Sequence, residues 1–205
     1  MDAPRSSPQA YESARREIDA IHARDPKRDA RGRPAELSYA DAVEAWVVRL
    51  VPEASPLLRL AARCQHLERW SVPRERFPEG RAGYHQWRQS LYGVQAALAG
   101  RVMAGAGIAA QERARATEWI AKKGLATNPG TQALEDAAIL VFLEREIGAF
   151  IAQHQDYPRS KFLHIIARSW RKLGPGGREA ALKLPLAPEI AALVQEALDS
   201  PPEPR

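Results

Sequence analysis

The chain has 205 residues, 45% of them apolar, a formal charge of +5 and a single cysteine. That is enough apolar material for one well-buried domain, and lone Cys64 excludes both an intrachain disulfide and a cysteine zinc cluster. No apolar run of membrane-spanning length and no leader-like opening is read, so no membrane partner and a cytoplasmic location are expected. The positive charge suits anionic partners, nucleotides or RNA, without establishing either.

Ala, Leu, Arg and Glu dominate, β-branched residues are sparse, and strict apolar alternation is missing, which predicts an all-α, single-domain helical bundle of about eight helices. The polar, proline-rich ends are expected to be mobile tails, 1–8 and 200–205, around one domain over 9–199. The first helix is predicted from about Gln9 to Arg24, carried by Tyr11, Ala14, Ile18 and Ile21 and stopped at Asp25-Pro26. A basic loop, Lys27 to Arg33, leads to a second helix from Ser38, read as its cap, to Leu50, ended by Pro52. A third, Ser55 to about Ser71, places Leu57, Leu60, Ala61, Cys64 and Leu67 on one apolar stripe, which makes Cys64 a core residue.

Pro73 and Pro78 then enforce a non-helical excursion before a long helix from about Ala82 to Ala104 and another from Ala109 to Lys122. Thr127-Asn128-Pro129-Gly130 is a turn, and Thr131 to Gln153 reads as the most apolar helix. A helix holding Phe162, Ile165, Ile166 and Trp170 follows, the GPGG segment from Gly174 breaks it, and Ala187 to Leu198 is the last.

Polar groups inside the apolar helices carry the functional reading. Gln65 and His66 sit beside the stripe of the third helix, and Glu135 and Asp136 lie on the most apolar one. If those helices pack together, an imidazole and a carboxylate meet, a pair suited to binding a divalent metal or to fixing a histidine tautomer; a purely structural pair is the alternative. Arg69, Arg74, Arg81 and Arg88 follow His66, interleaved with Trp70, Phe77, Tyr84 and Trp87. Guanidinium forks beside flat rings suit phosphate and base recognition, whereas surface ion pairs over core aromatics are the bland reading. No phosphate loop, dinucleotide glycine pattern, nucleophile elbow or zincin helix is present.

The segments QH-x-x-RW-x-x-PR, R-x-GY-x-x-WR and Q-x-LED-x-x-x-LVFLE, with the later RSWRKLGPGG run, resemble the family catalogued as domain of unknown function 4202 over most of Ile18 to Leu198. The order of elements is also similar to that of HD-type metal-dependent phosphohydrolases, with Gln65-His66 where the HD pair would stand and Asp136 where the last aspartate would. The chain departs from both patterns. It lacks a true His-Asp pair, it has Gln95-Ala96 where the resembled family usually reads His-Ala, and it reads His154-Gln155-Asp156-Tyr157-Pro158 where a compact acidic segment is usual.

The resemblance implies an HD-like helical arrangement binding a phosphorylated, nucleotide-like small molecule, with metal-dependent phosphohydrolase activity as its enzymatic form. His66 and Asp136 would hold a divalent ion (Mg, Mn, Fe or Zn) or activate water with Glu135 in support, while Gln65, Arg69, Arg74, Arg81, Arg88 and Gln95 would contact the ligand. The competing expectation is a non-catalytic RNA- or protein-binding module, or a degenerate family member serving as a scaffold. The oligomeric state is left open.

Overall fold

A computed structural model describes residues 6–199 of the chain. They form ten α-helices and no strand, a single isolated bridge joining Arg28 to Pro34. The all-α expectation holds, and the predicted count of eight is corrected to ten. The chain divides into two compact units, one up to Leu134 and the other from Glu135. Of the expected tails, 1–5 and 200–205 lie outside the described residues.

In the first unit, α1 (Pro8–His22) starts where Ser7 accepts the Ala10 N–H and proline fills the first helical position. Its Ala10, Ala14, Ile18 and Ile21 are buried, as their spacing requires. The basic loop after it is ordered by two aspartates. Asp29 Oδ1 accepts the Arg31 and Arg33 amides while its Oδ2 accepts the Ser38 hydroxyl, and Asp25 accepts the Lys27 and Glu36 amides.

Helix α2 (Ala35–Leu50) therefore begins three residues before the expected Ser38, with Asp25 supplying the capping carboxylate that Pro34 lacks. Helix α3 (Pro56–Arg63) is capped by Ser55 and is shorter than expected. His66 and Glu68 take φ of 61° and 53°, left-handed values that no helix continues through. Cys64 and Leu67 are nonetheless fully buried, and burial pushes the Cys64 thiol up. Two 3₁₀ turns, Arg69–Ser71 and Arg74–Arg76, lead into α4 (Gly80–Gly105), followed by α5 (Ala110–Ile120).

One side chain fastens α1, α2 and α3 together. Arg63 is 2% exposed and donates to Asp19 (2.6 Å), Asp41 (2.9 Å) and Glu44 (2.9 Å). Glu44 also receives both forks of Arg15 at 2.7 Å and Arg59 at 3.1 Å. Burying a guanidinium is tolerable only when its donors are satisfied in this way.

Helix α6 (Pro129–Val141) starts on the predicted turn, where Asn128 accepts the Gly130 amide and Gly130 packs against the Trp119 ring with no room for a side chain. The unit boundary falls within it. In the second unit the expected long helix is divided: a π-helical segment, Phe142–Glu146, precedes α7 (Ile147–Gln153). Then come α8 (Arg159–Trp170), α9 (Pro175–Leu182) and α10 (Pro188–Asp199), with Arg159 of α8 bridging to Glu196 of α10. Helix α9 is the other element beyond the predicted eight: GPGG reads from sequence as a breaker, yet Pro175 occupies the first helical position, where proline favours initiation.

Candidate functional site

Where α3 ends, the reversed backbone at His66 turns the imidazole towards the start of α2. Nδ1 lies 3.1 Å from Glu36 Oε2, and the ring stacks on Tyr39 at 4.0 Å with planes 6° apart. Arg69 closes the other side, its Nη1 at 2.7 Å from Nε2. A guanidinium can only donate, so Nε2 is the acceptor and Nδ1 carries the proton given to Glu36. Arg69 in turn lies over the Trp87 ring at 4.9 Å, a cation–π placement that fixes its plane.

The electrostatics agree with that tautomer. Crowding by protein, followed by the Arg69 charge, lowers the His66 pKa to about 4 although the side chain is 23% exposed. For Glu36, burial pushes the pKa up, but His66 and Arg69 outweigh it and leave the carboxyl below the usual range. At neutral pH the site is therefore a carboxylate, a neutral imidazole and a guanidinium in line. A non-glycine residue held at positive φ costs free energy that its surroundings must supply, and such residues concentrate at functional sites.

The other expected ligand residues of the first unit divide into distinct roles. Arg88 donates to the Tyr92 hydroxyl at 2.6 Å, and its charge reaches His66. Arg74 donates to the Phe77 carbonyl at 2.9 Å and, more distantly, to that of Gly80, so it organises the proline loop. Trp87 Nε1 donates to the Val72 carbonyl and pins that loop to α4. Gly83 lets the Pro78 carbonyl come so close that a Cβ would meet it at 1.7 Å, which accounts for the glycine of the R-x-GY segment. Arg81 is exposed. Gln65 and Gln95 are buried, each with an amide nitrogen that has no hydrogen-bond partner among the described residues.

His22, the last residue of α1, is fully buried, and burial lowers its pKa. Its Nε2 donates to the Arg63 carbonyl at 2.7 Å, and Nδ1 has no hydrogen-bond partner among the described residues. Glu36 and Tyr39 are the site residues that sequence reasoning missed. They stand 30 and 27 positions before His66, on a helix whose start the misread Ser38 cap had shifted past Glu36.

In the second unit Glu135 pairs with Lys172 at 3.0 Å, and Asp136 Oδ1 accepts the Gly174 amide at 2.9 Å. A Cβ on Gly177 would lie 2.6 Å from the Asp136 carboxyl carbon, so the glycine at position 177 is what lets that carboxylate seat there. Among the described residues no group of three or more His, Cys, Asp or Glu forms a candidate metal site, and no helix is long and apolar enough to cross a membrane.

A family model described as Domain of unknown function (DUF4202) matches residues 12–194. No curated protein and no solved structure matches the chain.

Proposed function

The chain belongs to the DUF4202 family, and we propose that it binds a phosphorylated, nucleotide-like small molecule at the turn after α3 and hydrolyses its phosphoester. The observation that carries the reading is the line of Glu36, His66 and Arg69: a neutral imidazole oriented by a carboxylate, with its free lone pair covered by a guanidinium. A phosphate is the natural competitor for that guanidinium, because Arg pairs with phosphate oxygens in a bidentate fork. Once Arg69 turns to the phosphate, Nε2 accepts the proton of the attacking water as its oxygen bonds to phosphorus. The ester oxygen leaves with the bonding pair and takes a proton from solvent. Arg88 adds positive charge, and the unpaired Gln65 and Gln95 amides offer donors to an acceptor-rich ligand or to water.

The proposal includes the HD-like layout, with Gln65-His66 and Asp136 at the corresponding positions. The residues around His66 do not suit a divalent cation as they stand. An ion on Nε2 would share that nitrogen with a guanidinium 2.7 Å away, so no step here runs through a metal.

The test is calorimetric titration with a panel of nucleoside mono- and diphosphates, followed by phosphate release. Arg69→Ala should weaken binding about tenfold or more, the scale of one charge-assisted contact, and His66→Ala should abolish release while the ligand still binds. Release that is indifferent to His66→Ala removes the catalytic role, and no binding by any of the panel removes the reading. Binding without turnover supports the second reading, a non-catalytic RNA- or protein-binding module or degenerate scaffold, which Gln95 at the family's usual histidine position favours.

A further inference from the structure

Helices α1, α3 and α5 border a cleft of about 710 Å³ in the first unit, lined at the Ser55 end of α3 rather than at the His66 end. That volume is in the range of sites that enclose a small organic ligand. The apolar part of its lining, the floor, presents Pro8, Pro56 and Ala109, Leu57 and Leu60 being buried, and three arginines, Arg15, Arg59 and Arg115, stand among its polar groups.

Of the two acidic groups there, Glu112 is already engaged and Glu12 is largely exposed. Glu112 accepts the Ser6 amide at 3.0 Å and the Tyr11 hydroxyl at 2.6 Å, and Glu12 lies 4.0 Å from Arg16. The cations are less fully used. Arg59 directs Nε and Nη2 to Glu44, both at 3.1 Å, which leaves its Nη1 unengaged among the described residues. Arg115 has no hydrogen-bond or ion-pair partner among the described residues. It lines the cleft, and its charge is felt by Tyr11 and Glu112.

We propose that this cleft binds an amphipathic organic anion, a small molecule whose apolar body covers Pro8, Pro56 and Ala109 and whose single phosphate or carboxylate head lies with Arg59 and Arg115. Apolar burial and unspent guanidinium donors select such a ligand together: a neutral ligand forgoes the donors, and a bare inorganic anion forgoes the floor. The site shares no residue with the Glu36–His66–Arg69 line and stands or falls apart from it.

The test is fluorescence titration of the full chain with naphthyl phosphate, naphthoate and neutral naphthol. The expected result is saturable one-to-one binding of an anionic probe, with naphthol much weaker, and the better of phosphate and carboxylate identifies the head. Arg115→Gln should weaken the anion about tenfold, the scale of one charge-assisted hydrogen bond. Arg115 is exposed, so this variant should melt with the unaltered chain, whereas Arg59→Gln also disturbs Glu44 and serves as the second variant. Arg69→Gln should leave probe affinity unchanged. Titrations that do not saturate, equal affinity for naphthol, affinity unaltered by Arg115→Gln, or loss only in Arg69→Gln would each overturn the proposal.

Discussion

Glu36 Oε2 lies 3.1 Å from His66 Nδ1, so a carboxylate near the start of α2 fixes which nitrogen of an imidazole after α3 carries the proton. Glu36→Gln keeps the shape and removes the charge. The expected outcome is a mixed tautomer in the nitrogen-15 spectrum of the ring and a drop in phosphate release of roughly 10–100-fold, the usual effect of losing an orienting partner. Ligand affinity should be held within about threefold, because Arg69 and Arg88 are untouched. An unaltered spectrum would mean that Glu36 does not set the tautomer.

Arg63 supports a different prediction, about stability. Its guanidinium is 2% exposed and serves Asp19, Asp41 and Glu44, two of them on α2 and one on α1. Arg63→Ala removes the shared cation, though Glu44 keeps Arg15 and Arg59 and Asp41 keeps Arg33, and should cost about 1.5–3 kcal/mol, read from urea denaturation. Arg63→Lys should recover little, since an ammonium cannot reproduce the planar fork. A loss below about 1 kcal/mol would place the network among ion pairs that add nothing measurable.

Acid should destabilise the chain before its carboxylates titrate. The His66 pKa falls from 6.5 to about 4 by crowding and the Arg69 charge, and burial lowers that of His22. A histidine whose folded pKa lies below its unfolded one binds more protons when unfolded. Its stabilisation is complete above pH 6.5 and is lost as the pH falls towards the folded value. Glu36, Asp41 and Glu44, all lowered, extend the loss below their ordinary range. Denaturant midpoints from pH 7 to about 4.5 should decline by an equivalent of roughly 1–3 kcal/mol. His66→Gln should flatten that slope, and a rise in stability on acidification would contradict the assignment of both histidines as neutral.

What could be read from sequence follows from the range of the interaction. The stripes of α1 and α3 were legible because periodicity is local: Ile18 and Ala61 are fully buried, and Cys64 and Leu67, which follow the end of α3, are buried as well. His66 stood out as a polar residue beside such a stripe. Its partners did not, because Glu36 and Tyr39 reach it only through the packing of α2 on α3, which no local pattern encodes. Arg63 shows the same limit: its place inside the core depends on three carboxylates 19 to 44 positions away. Arg74 reads as a ligand residue by composition, and what composition does not show is that two of its donors reach loop carbonyls. The end of α3 was overrun because neither a proline nor a glycine marks it; tertiary contacts hold His66 and Glu68 at positive φ against their local preference.

Asp136 and Gly177 give the clearest test of a packed pair. The carboxylate accepts the Gly174 amide at 2.9 Å, and a methyl on Gly177 would lie 2.6 Å from its carboxyl carbon. Asp136 is 6% exposed, so it has little room to retreat, and Gly177→Ala should cost about 1–3 kcal/mol, the usual penalty for overpacking. Asp136→Ala loses the bond to α9 but also removes the obstacle. In that background Gly177→Ala should cost less than about 0.5 kcal/mol, and the coupling between the two changes should approach the single-variant penalty. Urea denaturation of the four proteins measures it. Additive costs would mean that Gly177 is required for its backbone alone. A strong coupling would mean that the acidic residue singled out for metal chemistry also anchors α9, so activity lost in an Asp136 variant must be compared with its stability before a chemical role is assigned to it.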